Sequence, residues 1–117
     1  MPEASHFNLE KLRSYVGNNS SDIKDMITLF LEIIPSQREK MKKALETNDL
    51  ETLKYVTHQI KPSLDILGLS ATKEKAKTIE NLAKVNSDME TIKKNVNELC
   101  NELDTICRDL KLELGKI

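Results

Sequence analysis

Apolar residues recur at intervals of three and four along nearly the whole chain after residue 8, a spacing typical of amphipathic helices. The pattern predicts a short first helix over Leu9–Val16, which ends at Gly17-Asn18-Asn19. A long second helix follows, with its N-cap expected among Ser20–Asp22. Because Pro35 lies inside this second pattern, we expect a kink or a short break near Ile34.

Three more helices follow, each preceded by polar residues that suit a helix start. Asn48-Asp49-Leu50-Glu51 matches a capping box with Asn48 as the cap, and the third helix then runs to an exit at Gly68. The fourth begins near Ser70, and a second capping box at Ser87-Asp88-Met89-Glu90 opens a last helix over about 88–114. Short polar connections make successive helices antiparallel neighbours. We therefore predict an all-α single domain over residues 1–117: an up-and-down four-helix bundle with a short additional N-terminal helix.

Composition narrows the class of protein. Eighteen Lys and Arg against 19 Asp and Glu give a formal charge of -1, which disfavours a nucleic-acid binder. The longest apolar run, Ile27–Pro35, contains Thr28 and Glu32, so no membrane insertion is expected. The first five residues carry neither the basic nor the apolar part of a signal peptide, so we expect a cytoplasmic protein. Cys100 and Cys107 are then expected to be reduced thiols that pack along the last helix.

The third helix carries the strongest candidate for chemistry, His58. On a helical wheel it lies about 140° from Leu53, which marks the centre of the apolar stripe, so the side chain should point to water. Lys54 and Lys61 are four residues before and three residues after His58, on the same surface. Their charges disfavour the imidazolium, leave a ring nitrogen free as a nucleophile, and would balance an attached phosphoryl group. An idle surface histidine is the alternative that this pattern leaves open.

Pro62 adds a second unusual feature on the same helix. It removes the N–H that would bond the His58 carbonyl, either to fit the curvature of the bundle or to shape the surface beside a working side chain. Tyr55, Pro62 and Ile66 fall on the solvent side of the wheel, and Asp65 is a wheel neighbour of His58. An apolar fringe beside a charged patch is typical of a modest, transient protein-binding surface.

The segment His58–Gly68 resembles the signature of histidine-containing phosphotransfer (Hpt) domains, roughly His-x-Leu-Lys-Gly-Ser-x-x-x-Leu-Gly. Five positions match it, and Ile60 is a conservative sixth; the five are His58, Lys61, Ser63, Leu67 and Gly68. Leu29-Phe30-Leu31 with Pro35, and Ala44-Leu45 before Asn48-Asp49, are similar to the family's preceding segments. Glu80 falls where the family often has Glu or Gln facing the histidine. The resemblance covers about residues 7–85, and Pro62 departs from it, because the family usually has a small Gly there.

This resemblance implies a phosphorelay intermediate. His58 would accept a phosphoryl group from an aspartate of a receiver domain and pass it to another receiver aspartate, with Lys61 as electrostatic support. The receiver would supply the Mg²⁺, so no cofactor is expected on this chain, which we expect to be a monomer. The residues expected to contact the partner are Lys54, Tyr55, Pro62, Asp65, Ile66 and Glu80.

Two other functions compete with this hypothesis. One is a helical-bundle adaptor that binds a signalling partner without phosphotransfer. The other is a kinase dimerisation bundle whose histidine is phosphorylated from ATP, although the chain has no Gly-rich phosphate loop of its own. A zinc site is disfavoured, because Cys100 and Cys107 lie about 10.5 Å apart along one helix. The sequence leaves open the cognate receivers, the stimulus, the direction of phosphate flow, and whether this is a free-standing protein or part of a hybrid kinase.

Overall fold

A computed structural model of the chain describes residues 7–117, and these residues form five α-helices and no strand. The all-α prediction is confirmed. In chain order the helices are α1 (Glu10–Val16), α2 (Ser20–Glu46), α3 (Leu50–Ile66), α4 (Ser70–Lys84) and α5 (Met89–Lys116).

The four longer helices form the predicted bundle. α2 packs against α3 and α5, and α4 packs against the same two helices, so the order around the bundle is α2, α3, α4, α5. The short α1 packs on α2. The segment before it is fixed to the end of α3, where the Asn8 N–H donates to the Leu67 carbonyl at 2.7 Å. Within the described residues, no helix is both long enough and apolar enough to cross a bilayer.

The core consists mainly of aliphatic side chains drawn from every helix, together with Phe30, Met41 and Cys100. Complete burial of each large aliphatic residue contributes about 1.5–3 kcal/mol, so this one continuous cluster supplies the main force that holds the bundle together. Thr57 is also fully buried, and its hydroxyl is satisfied because it donates to the Leu53 carbonyl at 2.8 Å. The largest fully buried side chains are Leu12, Ile27, Ile34, Met41, Leu53, Ile60, Leu64, Leu67, Ile79, Ile92, Leu99 and Leu103.

The helix caps differ from three of the predictions. Asn19, expected in the exit of the first helix, caps α2 and accepts hydrogen bonds from the N–H groups of Ser21 and Asp22 at 2.8 and 3.3 Å. Asp49 rather than Asn48 caps α3. Asn48 has a φ of +54°, a left-handed conformation, whereas a residue in the cap position normally has extended backbone. Asp88 caps α5 and accepts from the Thr91 N–H, so the predicted capping box, which would have Ser87 as the cap, is displaced by one residue.

Both internal prolines are accommodated without a break. Pro35 lies inside α2, which continues from Ser20 to Glu46, so the short break expected near Ile34 is absent. Ile34 itself is fully buried, and packing of this kind offsets the backbone hydrogen bond that the proline removes. Pro62 likewise lies inside the continuous α3.

Polar contacts to α5 fix the two helices on either side of it. The Arg38 guanidinium on α2 donates twice to the Asp104 carboxylate, at 2.7 and 3.1 Å. Lys75 on α4 pairs with Glu98 at 3.1 Å and with Glu102 at 3.3 Å. These contacts lie on the α5 side of the bundle, whereas Lys61–Glu80 and Asp65–Lys73 join α3 to α4 on the side that carries His58.

Candidate functional site

His58 lies on the solvent face of α3, and its side chain is 67% exposed. This confirms the wheel prediction, because Leu53, Val56, Ile60 and Leu64 of the same helix are all buried. An exposed imidazole is accessible to a partner protein, and its replacement removes no core contact.

A carboxylate from the neighbouring helix contacts this imidazole. Glu80 on α4 places Oε2 3.0 Å from His58 Nδ1 and Oε1 2.7 Å from Lys61 Nζ. The Glu80 and Lys61 side chains are only 12% and 20% exposed, so this ion pair is mostly shielded from solvent. Glu80 therefore joins the histidine to the lysine of the same motif.

The charge state of Glu80 determines how the imidazole is held. Partial burial alone would raise the pKa of the Glu80 carboxyl, but the hydrogen bond and charge of Lys61, followed by those of His58, hold it below its ordinary 4.5. The group is therefore ionised at neutral pH, and an ionised carboxylate only accepts hydrogen bonds. His58 Nδ1 must then carry the hydrogen and donate it. In the neutral ring this leaves the lone pair on Nε2.

Each of the two flanking lysines pairs with a carboxylate. Lys54 pairs with Glu51 at 3.3 Å, and Lys61 turns to Glu80, so a carboxylate lies between the second ammonium and the ring. Helical spacing fixes where a side chain leaves the backbone. The direction of a long lysine chain depends on the partners that other positions offer.

The chain's family can be assigned with this geometry in view. The family model for the Hpt domain matches residues 25–113. The chain belongs to the Hpt domain family. Its role is therefore histidine phosphotransfer in a phosphorelay, and the family match includes α5, which the motifs over 7–85 did not reach.

A solved structure supports the fold of this Hpt domain. The crystal structure of the Hpt domain from a sensor hybrid histidine kinase of Shewanella superposes with a TM-score of 0.81. The superposition covers 98% of each chain at 22% sequence identity, so it bears on the fold alone. No curated protein matches the chain at a significant level.

The apolar fringe of the Hpt domain is smaller than the wheel predicts. Tyr55 is 62% exposed, and its hydroxyl accepts a hydrogen bond from Gln59 at 3.0 Å. Pro62 is also exposed. Ile66 is half-buried and packs against the core, so its expected position in open solvent is wrong, because the core extends to the last turn of α3.

Asp65 is engaged within the Hpt domain itself. Its carboxylate accepts hydrogen bonds from Lys11 at 2.7 Å and from Lys73 at 3.1 Å, which ties α3 to α1 and α4. The bond from Lys11, followed by that from Lys73, lowers the pKa of the Asp65 carboxyl. Asp65 lies two helical turns from His58, and its negative charge is balanced by these two lysines.

The motif glycine, Gly68, has a structural task. Its φ of +73° is a left-handed conformation, and a Cβ built there would lie 2.9 Å from the Asn8 Cβ and 3.2 Å from the Asn8 backbone nitrogen. Only glycine lets α3 end here with the N-terminal segment packed against it. The left-handed backbone and this close approach together account for a glycine at position 68.

The described residues give little support for a metal site or for a reactive cysteine. Within 7–117 no cluster of three or more His, Cys, Asp or Glu side chains could hold a metal ion. Cys100 and Cys107 are free, and burial raises the pKa of both thiols, which keeps them protonated.

The local pattern around His58 did not identify two lysines on α4. Lys77 and Lys84 are exposed and lie three residues before and four residues after Glu80. A wheel of α4 centred on Glu80 would have found them, but only the contact with α3 shows that this side of α4 borders His58.

Proposed function

We propose that His58 is the phosphoryl acceptor of this Hpt domain, with Nε2 as the attacking atom. The observation that carries this proposal is the hydrogen bond from His58 Nδ1 to the ionised Glu80. It favours the tautomer whose Nε2 lone pair is free, and within the described residues Nε2 has no hydrogen-bond partner of its own.

The donor and the next acceptor are proposed to be aspartates of receiver domains. The Nε2 lone pair attacks phosphorus and forms the N–P bond, while the P–O bond of the aspartyl phosphate breaks and its electron pair stays on the aspartate oxygen. The Nδ1 hydrogen remains in place and faces Glu80. The second transfer reverses these changes on another receiver aspartate, and leaves His58 neutral again.

Because His58 is exposed, a receiver domain can reach it and supply the other groups that the transfer needs. Phosphoryl transfer depends mainly on positioning and on stabilisation of charge, with little covalent work for side chains. This chain contributes an oriented imidazole, with Lys61 to keep Glu80 ionised. The receiver would contribute Mg²⁺ and the remaining charge stabilisation, so no cofactor is assigned to this chain.

The substitution His58→Gln tests the proposal. The variant should stay folded, with a change in unfolding free energy within about 0.5 kcal/mol, because an exposed side chain is replaced. It should take no label from a ³²P-phosphorylated receiver domain, whereas the wild type gains acid-labile, base-stable label. His6→Gln is the control, since His6 is the other histidine and lies outside the described residues. Wild-type labelling of His58→Gln would refute the assignment, and a wild type that no receiver labels would favour the adaptor.

We also propose that the protein acts as a cytoplasmic monomer. Cys100 and Cys107 pack along α5 as free thiols, a state that a reducing compartment preserves. Sedimentation of the purified chain over a range of concentrations tests the monomer, and a mass that doubles at micromolar concentration would contradict it.

A further inference from the structure

Charge is distributed unevenly in this chain. α3 and α4 together carry six lysines and four acidic residues, although the whole chain has a net charge of -1. The lysines are Lys54, Lys61, Lys73, Lys75, Lys77 and Lys84, and the acidic residues are Glu51, Asp65, Glu74 and Glu80. The rest of the protein is therefore net acidic, and the two helices that border His58 are net basic.

The register between α3 and α4 shows where these lysines lie. His58 contacts Glu80 and Asp65 contacts Lys73, so the two contacts are seven residues apart on both antiparallel helices. By the same register Lys77 lies level with Lys61. Lys84 lies one turn on the other side of Glu80, so the two α4 lysines stand on either side of the contact with His58.

Ion pairs leave only some of these charges free. Four of the six lysines are paired: Lys61 with Glu80, Lys73 with Asp65, Lys54 with Glu51, and Lys75 with Glu98 and Glu102 of α5. Lys77 and Lys84 are exposed and form no ion pair within the described residues. On a wheel of α4 both lie within about 60° of Glu80, so they share its side of the helix. We call these two residues the α4 lysine edge.

We propose that the α4 lysine edge attracts and orients an acidic protein face that surrounds the partner's aspartyl phosphate. This inference rests on the proposed function, because it names the chemistry of the partner surface at the same site. The donor phosphoryl group is itself an anion and must approach His58 Nε2. Lys77 and Lys84 leave the α4 backbone about one helical turn from Glu80, a spacing shorter than the Debye length of about 8 Å at physiological salt. Such charges raise association rates more than they raise final affinity.

The side of His58 that faces away from α4 is partly apolar instead of cationic. This difference lets the α4 lysine edge orient a partner. Tyr55 is exposed there, and Pro62 follows on the same outer face of α3. The α4 side is cationic and the outer α3 side is partly apolar. A partner with an acidic rim on one side only would therefore dock in a single orientation.

The test is a charge reversal with a matched control. Lys77→Glu/Lys84→Glu reverses the edge, and Lys24→Glu/Lys94→Glu makes the same change in net charge at exposed positions of α2 and α5. The probe is a ³²P-phosphorylated receiver domain that labels the wild-type chain. The second-order rate constant for transfer is measured at about 0.01 M and about 1 M salt, where the Debye lengths are about 30 and 3 Å.

At low salt the edge variant should transfer about 10- to 100-fold more slowly than the wild type, and the control variant should lose much less. The difference should vanish at high salt. Phosphoramidate is a small donor without a protein surface, and it should label His58 equally well in the wild type and in both variants. Equal labelling shows that His58 remains reactive.

Equal losses in the two double variants would overturn the edge and leave net charge as the cause. A loss that persists at high salt, or no loss at all, would overturn it as well. These results leave the proposed function standing because the wild type is labelled. A wild type that no receiver labels overturns the proposed function itself, and the edge with it.

Discussion

Glu80→Gln is the substitution that examines the site most directly. It keeps the size of the side chain and removes its charge. A carboxylate can only accept from His58 Nδ1, whereas an amide can accept through its oxygen or donate through its nitrogen. The variant therefore no longer dictates which ring nitrogen carries the hydrogen, and Lys61 loses its counterion at 2.7 Å.

The size of the effect follows from the contact. A hydrogen bond to a charged group contributes about 1.5–3 kcal/mol and a neutral one about 0.5–1.5 kcal/mol, a difference of about 1–1.5 kcal/mol. The imidazole is 67% exposed, so water screens part of this and about 0.5–1 kcal/mol remains. If that energy is lost in the transition state, transfer slows about 2- to 5-fold.

Two measurements check this expectation. Two-bond ¹⁵N–¹H correlation spectra of the imidazole report which nitrogen carries the hydrogen: Nδ1 in the wild type and a mixture in Glu80→Gln. Single-turnover transfer from a labelled receiver gives the rate. Glu74→Gln is the matched control, since Glu74 is an exposed glutamate on the same helix.

An unchanged tautomer would show that Glu80 does not orient the ring. A changed tautomer with an unchanged rate would show that the orientation does not matter for transfer. A loss of several hundred-fold would mean that Glu80 acts on the transferred group, which the observed contact with Nδ1 does not provide.

Three other expectations follow from the same structure. The pKa of Glu80 is lowered on folding, so its contribution to stability is fully present above pH 4.5 and is lost as the pH falls through the folded-state pKa; the difference in urea midpoint between the wild type and Glu80→Gln should shrink accordingly, and a constant difference would contradict this. Gly68→Ala should reduce the unfolding free energy by about 2–3 kcal/mol, because the left-handed backbone disfavours a Cβ that also meets Asn8; Gly115→Ala, with nothing within 4 Å, is the control in urea melts, and equal effects would argue against the close approach. Pro62→Ala should raise the melting temperature, since it restores the N–H that bonds the His58 carbonyl, and should weaken receiver binding in titrations; unchanged affinity would make Pro62 a backbone device only.

The sequence determined the features that depend on one helix at a time. A rotation of about 100° per residue fixes which positions share a face, so the buried Leu53, Ile60 and Leu64 and the exposed His58 could all be predicted from spacing. The caps are less determined: Asn48 and Asp49 are both good cap residues, and the choice depends on which of them adopts the left-handed backbone.

The tertiary structure decided how the site is completed. The family resemblance placed Glu80 opposite the histidine, and the structure shows the contact. No periodicity within a single helix predicts it, because the two residues are 22 positions apart and meet only through the antiparallel register of α3 against α4. The same packing turns Lys61 to Glu80 and places the α4 lysine edge beside His58. It also buries Ile66 against the core, where the wheel alone places it in solvent. Local spacing determines the direction in which a residue leaves its own helix, and only the packing of helices determines what it meets.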